Sequence, residues 1–229
     1  MKYNQIMNNQ SLRLTQKATL QECLLRLLDQ SYNFKSHHLG SAFSSIPLIL
    51  EIYAKMNKAD KFVLSSGHAA AALYIVLEKE LGIDSSILFE TMGEHPHRNT
   101  DFGVDCSTGS LGMGISVAVG MALANQSKKV YCLVSDGECA EGVFWESIRF
   151  MKHKKLENLI VYVNINGWSG YDQINSKELS KEITSINDLV QIRFTSNYPF
   201  EEHGLSAHYM NLTKEKYEES RDRVCEDYL

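Results

Sequence analysis

Two short apolar segments joined by a helical pattern, in the middle of the chain, constrain its fold more than any other feature. Residues 130–134 and 159–163 are rich in β-branched and other apolar side chains, and residues 143–151 between them repeat apolar side chains at helical spacing. This order predicts a βαβ crossover, in which the two strands are parallel and their carboxyl ends lie at one edge of the sheet. Asp136 and Asn166 follow the two strands, so we expect their side chains to lie close together.

The residue types at these two strand ends suit a divalent cation. Asp136 offers a carboxylate and Asn166 an amide oxygen, and hard cations such as Mg²⁺ take oxygen ligands and often share them with the phosphates of a bound molecule. Gly137 has no Cβ, so backbone N–H groups there can approach phosphate oxygens closely. Asp-Gly and Asn-Gly are also common turn dipeptides, and on these residues alone a purely structural turn is an equal interpretation.

The remainder of the chain alternates helical and strand patterns. The predicted helices span residues 12–32, 46–56 (with Pro47 in the first turn), 69–81, 111–125 and 213–225, and further strands span residues 61–64 and 191–194. Residues 92–108 and 196–209 are expected to be irregular. Strands that alternate with helices indicate an α/β fold with a mostly parallel sheet flanked by helices, and a chain of 229 residues fits a single domain over residues 1–229.

Composition argues against several classes of protein. Net charge is −5 and the basic residues are scattered, so no nucleic-acid or membrane partner is expected. The longest apolar run, residues 115–124, is too short to span a bilayer, and the N-terminus lacks the apolar core of a signal peptide. Five widely spaced cysteines argue against a disulfide framework or zinc site, so a cytoplasmic location is expected. Cys139 is expected to be a small buried side chain rather than a reactive thiol.

Five segments, in order along the chain, carry a more specific signal. They are residues 36–40, residues 62–68, residues 94–96, residues 107–114, and Asp136-Gly137-Glu138 followed further along by Asn166. Together they resemble the transketolase family of thiamine-diphosphate enzymes, over about residues 10–172 and only loosely in the tail. The resemblance implies the three-layer, diphosphate-binding (PP-type) domain of that family. The section between Asn166 and His208 is short, so the C-terminal part of the sheet is expected to be shortened.

The resemblance implies thiamine diphosphate as cofactor, with Mg²⁺ (or Ca²⁺ or Mn²⁺ in its place) bound to the diphosphate. In the family, the aspartate and asparagine of the motif and the carbonyl two residues after the asparagine hold the cation, which implies Asp136, Asn166 and Trp168 here. Contacts to the cofactor are implied for His68, Gly109, Leu111, Asp136, Gly137, Glu138 and Asn166.

The resemblance also singles out four histidines as catalytic: His38, His68, His95 and His208. His38 and His95 are implied to contact the donor ketose near its carbonyl, and His68 to lie at the cofactor diphosphate and the reacting centre. A tail histidine completes the family's site, and His208 fits that place better than His203. Imidazoles suit this chemistry because ketose cleavage moves protons at near-neutral pH.

Several residues near the implied site are open to more than one interpretation. Ser135 stands where the family usually has glycine, so its side chain either crowds the phosphate or donates a hydrogen bond to it. Leu39 stands where proline is usual, so the adjacent loop is expected to differ. Glu141 is implied to be a dimer-interface carboxylate, although a first-turn carboxylate that interacts with the helix dipole also fits. His97 and His153 are expected to be structural or surface residues.

The resemblance implies a transferase subunit. The reaction would move a two-carbon ketol unit from a ketose, commonly a sugar phosphate, to an aldose. The implied partner is a pyrimidine-binding C-terminal transketolase subunit, in a heteromer of two chains of each kind (α2β2), and the chain is expected to be inactive alone. The small residues of the predicted helix 111–125 suit close packing in the core or, as we slightly favour, against a partner chain.

Two alternatives remain at the level of sequence. One is another thiamine-diphosphate enzyme, such as a 2-oxo-acid dehydrogenase E1 component or a deoxyxylulose-phosphate synthase, although the histidine set favours transketolase over the former. The other is a non-catalytic binding or regulatory subunit, which the replacement at Ser135 and the unusual tail suggest, and against which the intact metal and histidine positions argue.

Overall fold

The chain forms a four-stranded parallel sheet between two layers of helices. The computed structural model describes residues 14–228. The helices are α1 Leu14–Phe34, α2 Leu39–Tyr53, α3 Ala70–Leu81, α4 Ser85–Met92, α5 Met113–Ala124, α6 Gly142–Lys154, α7 Ser176–Ile186 and α8 Lys214–Asp227. The strands are β1 Lys61–Leu64, β2 Val130–Ser135, β3 Leu159–Ile165 and β4 Gln191–Phe194. Short 3₁₀ turns lie at Gly67–Ala69, Thr100–Phe102, Gly137–Ala140 and Glu201–His208.

The sheet divides the interior into two hydrophobic cores. Its strand order is β1-β2-β3-β4, with every neighbouring pair parallel. Successive side chains of a strand point to opposite faces. Tyr131 and Leu133 therefore join the core formed with α1, α2 and α3, whereas Cys132 and Val134 join the core formed with α5, α6 and α7. This arrangement confirms the predicted α/β class and its three layers. The predicted helix start at residue 12, and the first thirteen residues of the predicted domain, lie outside the described residues.

The predicted crossover is present and sets the position of the site. β2 and β3 pair in parallel register, with Ser135 opposite Asn164. The connecting helix α6 buries Phe144 and Ile148 completely against the sheet. The N–H of Asp136 donates to the carbonyl of Asn164 at 2.9 Å, so the hydrogen-bond ladder continues past the end of β2. Asp136 is thereby held beside the carboxyl end of β3.

The second helix begins earlier than predicted. The prediction of a helix over residues 46–56, with Pro47 in its first turn, is wrong, because α2 spans Leu39–Tyr53 and Pro47 lies inside it. Proline lacks an N–H and so removes one helical hydrogen bond. Burial outweighs that loss, since the first turns of α2 place Phe43 fully inside the core. The consequence for the site is that α2 starts directly after His38.

Two helices, α4 and α7, have no counterpart among the predicted elements. Each begins at a polar cap, where Asp84 accepts a hydrogen bond from a first-turn N–H at 2.8 Å and Asn175 accepts from the N–H of Glu178 at 3.4 Å. α7 also has an apolar face, formed by the buried residues Leu179 and Ile183. The sequence analysis predicted no element over residues 176–186, and the structure has an amphipathic helix there.

The segments predicted to be irregular are largely so, with one difference. Residues 92–108 are irregular apart from the turn Thr100–Phe102. Residues 196–209 contain the 3₁₀ turns Glu201–His208, interrupted at Gly204, so this part is more regular than predicted. The described chain adds no strand after β4, which agrees with the predicted shortening of the sheet.

The tail packs back onto the first helix. In α8, the Tyr217 hydroxyl and the Arg221 guanidinium both donate to the Asp29 carboxylate of α1, at 2.6 and 2.9 Å. The Tyr217 ring also stacks on Tyr32, with ring centroids 4.7 Å apart. Within residues 14–228, no helix has both the length and the apolar character needed to cross a membrane.

Candidate functional site

The carboxyl edge of the sheet brings Asp136 and Asn166 together, as their positions after β2 and β3 predict. One carboxylate oxygen of Asp136 accepts from the N–H of Gly137 at 3.0 Å, and the other accepts from the N–H of Gly167 at 2.7 Å. The second bond ties the end of β2 to the residue that follows Asn166. The turn after β3 is therefore held directly against the Asp136 carboxylate.

Asp136 is a buried carboxylate whose charge is only partly compensated. It is 2% exposed, and burial raises its pKa to about 7 although the backbone hydrogen bonds act in the opposite direction. Within the described part of the chain, no cationic side chain forms an ion pair with it. A bound cation would supply the missing charge and stabilise the ionised form.

Asn166 is held at both ends of its amide. Its Oδ1 accepts from the N–H of Trp168 at 2.9 Å, and its Nδ2 donates to Ser44 Oγ at 3.2 Å. The tail packs against the segment after this turn. A Cβ on Gly204 would lie only 2.9 Å from the Trp168 ring, so the backbone of the tail approaches that ring closely. Trp168, the third residue implied for the cation, thus directly follows the turn held by Asp136.

Glu138, implied as a cofactor contact, is turned into the protein. Its carboxylate is fully buried and accepts from Ser65 Oγ at 2.7 Å, from the N–H of Gly112 at 2.9 Å and from the N–H of Ser135 at 3.0 Å. Burial raises the pKa of this carboxyl. Its geometry anchors the loop before α5 to the ends of β1 and β2. The Ser135 hydroxyl lies 3.4 Å from the same carboxylate, so it has a partner inside the protein.

The loop that carries Gly109 and Leu111 packs tightly against the turn after β1. A Cβ on Gly67 would lie 2.7 Å from the backbone nitrogen of Gly109, so only glycine at position 67 permits this approach. The same loop passes the His95 ring, which lies 3.2 Å from the position of a Cβ on Gly109. Leu111 is 39% exposed at the end of this loop. The backbone around Gly109 therefore borders the histidines.

The four histidines implied as catalytic form one cluster. His38 precedes α2, His68 lies in the turn after β1, His95 follows α4, and His208 ends the 3₁₀ turns. The ring centroid of His38 lies 4.4 Å from that of His208, 5.3 Å from that of His68 and 6.2 Å from that of His95. His38 Nδ1 is 3.0 Å from His208 Nε2, and the His38 N–H donates to the His208 carbonyl at 2.9 Å.

Three imidazoles of this cluster, those of His38, His68 and His208, have a lowered pKa. Burial, with a further contribution from neighbouring imidazoles, lowers the pKa of His38 to about 4 and that of His68 to about 3. Burial also lowers the pKa of His208. A neutral imidazole has one nitrogen that donates and one that accepts, so in the His38–His208 contact one ring donates to the other. At neutral pH, the ring nitrogens that this contact does not use can donate a hydrogen bond to a ligand oxygen or accept one from a ligand hydroxyl.

The cluster adjoins the Asp136–Asn166 turn. His208 Nε2 lies 3.6 Å from the position that a Cβ would take on Gly170, and the Tyr209 hydroxyl donates to the Gly170 carbonyl. His68 Nε2 lies 3.1 Å from Ser41 Oγ. Ser41 precedes Ser44, the serine that contacts Asn166, by about one turn of α2. The predicted histidines and the predicted cation ligands thus share one edge of the sheet.

Four residues of this edge were given no role in the sequence prediction: His37, Ser41, Ser44 and Glu94. The N–H of His37 and its Nδ1 both contact Glu94 Oε1, at 2.6 and 3.1 Å, so the segments before His38 and His95 are joined. Their positions next to implied histidines were the available signal for His37 and Glu94. Serines within a helix carry no comparable signal.

The remaining expectations are met in part. His97 and His153 are exposed, as predicted. His203 lies outside the cluster, with Nε2 3.4 Å from Glu202 Oε1, which agrees with the preference for the other tail histidine. The thiol of Cys139 is buried, and burial raises its pKa well above the usual range, so the prediction of an unreactive side chain agrees with the structure.

The donor set at Asp136 fits a hard cation and a diphosphate. In the described residues, no group of three His, Cys, Asp or Glu side chains is arranged to hold a metal ion. The implied set instead comprises a carboxylate from Asp136, an amide oxygen from Asn166 and the carbonyl of Trp168, all oxygen ligands of the kind that Mg²⁺ takes while it keeps waters or phosphates. The uncompensated burial of Asp136 is the observation that favours a cation here.

Comparison with known proteins agrees with this geometry. Residues 17–184 match the family model described as "Transketolase, thiamine diphosphate binding domain". The chain is 34% identical over 162 residues to an apulose-4-phosphate transketolase subunit of Phocaeicola vulgatus, covering 62% of this chain and 57% of that protein. It is 33% identical over 159 residues to the 6-deoxy-6-sulfo-D-fructose transketolase subunit SqwG of a Clostridium species, covering 59% and 58%. The chain thus spans just over half the length of these two relatives.

Solved structures show the same fold. A transketolase mutant from Pichia stipitis superposes with a TM-score of 0.64 at 19% identity, over 92% of this chain and 44% of that one. Transketolase from Leishmania mexicana superposes with a TM-score of 0.61 at 18% identity, over 94% and 45%. The match of the family model over residues 17–184 shows that the chain belongs to the transketolase family, as a thiamine-diphosphate-binding domain.

Proposed function

We propose that this chain is the diphosphate-binding subunit of a transketolase that transfers a two-carbon ketol unit from a ketose, commonly a sugar phosphate, to an aldose. The observation that carries the proposal is the meeting of the histidine cluster with the Asp136–Asn166 turn at one edge of the sheet. Family membership supports the cofactor. The names of the two relatives, both subunits of transketolases, support the class of reaction.

The cofactor and cation would be held by residues already described. Asp136, Asn166 and the Trp168 carbonyl would hold Mg²⁺ against the diphosphate, with His68 and the backbone around Gly109 beside the cofactor. When bound, thiamine diphosphate supplies the nucleophilic carbon and the electron sink that cleavage of a carbon–carbon bond requires. Everything else falls to the protein, which must orient the sugar and move its protons.

The histidine cluster meets the proton requirements of ketol transfer. The donor ketose must lose a proton from the hydroxyl beside the bond that breaks, and the carbonyl oxygen of the acceptor must gain one. The imidazoles of His38 and His95 can accept the first proton and return the second. For His38 to accept a proton at Nε2, its Nδ1 must carry the other proton and donate it to His208 Nε2.

We further propose that a pyrimidine-binding subunit completes the site, in a complex of two chains of each kind. An exposed apolar surface beside the site supports this. Leu111, Met113 and Leu123 are 39%, 39% and 42% exposed along the loop before α5 and along α5 itself. The exposed Glu141 borders the same surface, since its Cβ lies 3.1 Å from the position of a Cβ on Gly112.

The decisive test uses this chain co-purified with its partner subunit. Thiamine diphosphate should bind in a Mg²⁺-dependent manner, and the complex should transfer ketol units from a ketose phosphate to an aldose. Release of carbon dioxide from a 2-oxo acid, without ketol transfer between sugars, would instead identify a different thiamine-diphosphate reaction. Cofactor binding without either reaction would support a non-catalytic subunit.

A further inference from the structure

We infer that Ser44 is a positioning residue for the cation site, whose hydroxyl, together with the backbone N–H of Trp168, fixes which end of the Asn166 amide is presented as a ligand. The inference rests on the proposed binding of Mg²⁺ and thiamine diphosphate, and it concerns a residue outside the implied set of ligands. It is carried by the hydrogen bonds of one buried hydroxyl.

The hydrogen-bonding capacity of the Ser44 hydroxyl is completely used. A serine hydroxyl has one donor and two acceptor positions. Ser44 is fully buried, and its Oγ donates to the Ser41 carbonyl at 3.2 Å. It accepts from Asn164 Nδ2 at 3.0 Å and from Asn166 Nδ2 at 3.2 Å. Because the only hydroxyl proton is directed to a carbonyl, Ser44 faces both amides as an acceptor.

This acceptor face selects one orientation of Asn166. The oxygen and the nitrogen of an amide are nearly equal in shape, so their partners decide which is which. With Nδ2 on Ser44, Oδ1 faces the turn, where it accepts from the N–H of Trp168 at 2.9 Å. The reversed amide would place its oxygen against the Ser44 acceptor positions and would present an NH₂ group, which cannot bind a cation, to the site.

Asn164 is the second amide that contacts the Ser44 hydroxyl. Its Oδ1 accepts from the Thr195 hydroxyl at 2.5 Å, and its Nδ2 donates to Ser44 Oγ at 3.0 Å. Asn164 therefore occupies one acceptor position of Ser44 and leaves the other for Asn166. The arrangement extends from the residue after β4 through α2 to the turn after β3, with Ser44 and Asn164 buried and Thr195 and Asn166 half-buried.

Ser45 provides a matched control on the same helix. It is 2% exposed, and its Oγ donates at 2.7 Å to the same Ser41 carbonyl that Ser44 uses. Its other contact is to Asn164 Nδ2 at 3.4 Å. The variants Ser44→Ala and Ser45→Ala therefore remove the same atoms from neighbouring buried positions, but only the first removes a partner of Asn166.

The expected result is a selective loss of affinity. Removal of a group that orients a metal ligand typically weakens metal binding roughly 10–100-fold. Calorimetric titration of the chain, with the subunit that co-purifies with it, should show Mg²⁺-dependent thiamine-diphosphate binding at least roughly tenfold weaker in Ser44→Ala. Ser45→Ala should remain close to wild type. Equal affinities in wild type and Ser44→Ala would overturn the inference.

A second background separates orientation from packing. In Asn166→Asp the two carboxylate oxygens are equivalent, so either can face the cation and no orienting partner is needed. Adding Ser44→Ala to Asn166→Asp should then change the affinity little. An equally large loss in both backgrounds would show that Ser44 acts only through packing, and the inference would fail.

The ligand-free chain gives a readout that does not depend on the proposed function. The ¹⁵N-labelled side-chain amide of Asn166 should give a pair of sharp, well-dispersed proton signals in wild type and in Ser45→Ala. In Ser44→Ala these signals should broaden or shift towards those of a free amide. If the wild type binds no cofactor, the proposed function fails, and this spectrum still decides the role of Ser44: unchanged Asn166 signals in Ser44→Ala would refute it.

Discussion

At the scale of single residues, burial gives the histidine cluster its chemistry. The pKa of His38 is lowered to about 4 and that of His68 to about 3, so both imidazoles are neutral at pH 7. Neither must lose a proton before it accepts one from a sugar hydroxyl. The same burial makes protonation of the cluster costly to the fold.

That cost predicts how stability depends on pH. The pKa of His68 in the folded chain, about 3, lies below its usual value of 6.5, so the unfolded chain binds the proton more tightly. The contribution of His68 to stability is therefore complete above its usual pKa and is lost as pH falls towards 3. The loss for one such group reaches at most about 1.4 kcal/mol per pH unit. Urea unfolding near neutral pH and near pH 5 measures it.

The matched variants for this measurement are His68→Asn and His153→Asn. His68→Asn should flatten the fall in unfolding free energy between neutral and acidic pH, because the titrating group is gone. His153 is exposed, so His153→Asn should keep the wild-type slope. Identical slopes in wild type and His68→Asn would contradict the assignment.

The cation ligands predict a graded response to substitution. Asp136→Ala should abolish Mg²⁺-dependent binding of thiamine diphosphate while leaving the circular dichroism spectrum largely unchanged, because it removes the one charged group of the proposed cation ligands Asp136, Asn166 and the Trp168 carbonyl. Asn166→Ala removes a neutral oxygen and should weaken binding less. His38→Ala and His95→Ala should keep the cofactor and lose turnover, since their proposed roles begin at the sugar. Calorimetry and an activity assay test the set, and wild-type binding by Asp136→Ala would rule it out.

At the scale of secondary-structure elements, segments with a clear apolar period were predicted correctly. Features that depend on contacts between distant segments were not. The crossover from β2 to β3 follows from apolar periodicity alone. The start of α2 could not be predicted in this way, because the burial of Phe43 outweighs the preference of Pro47 for the first turn of a helix. α7 had a usable signal in its cap, Asn175 with Glu178, and in the spacing of its buried residues.

The exposed face of α5 predicts where a partner binds. Leu123 is 42% exposed on α5, and every residue of this helix is apolar or glycine except Ser116. Leu123→Glu should weaken association with the partner subunit at least about tenfold, because a charge would be buried without a counterion. Leu189→Glu, at a residue 53% exposed that follows α7, should leave association unchanged. Analytical ultracentrifugation distinguishes the two, and equal association constants would place the interface elsewhere.

At the scale of the whole molecule, segments far apart in sequence assemble the site. The resemblance singled out the four histidines that lie together in the structure, including His208 in a tail that matches the family only loosely. The sequence could not predict the contacts that place them, such as Ser44 beneath Asn166 or Glu94 against His37. These are single hydrogen bonds between common polar residues, and no local pattern marks them.

The position of the site at the edge of the molecule predicts dependence on a partner. The loop before α5 borders His95 on one side and ends at Leu111 and Met113, which are 39% exposed, so the cofactor site would be open towards this apolar surface. Catalysis of this kind needs water excluded and the whole cofactor held in place. The purified chain with thiamine diphosphate, Mg²⁺, a ketose phosphate and an aldose should therefore show no ketol transfer, and addition of the pyrimidine-binding subunit should establish it. A complex assembled with Asp136→Ala should form normally and stay inactive, which assigns the activity to both subunits together. Turnover by the chain alone would refute the shared site.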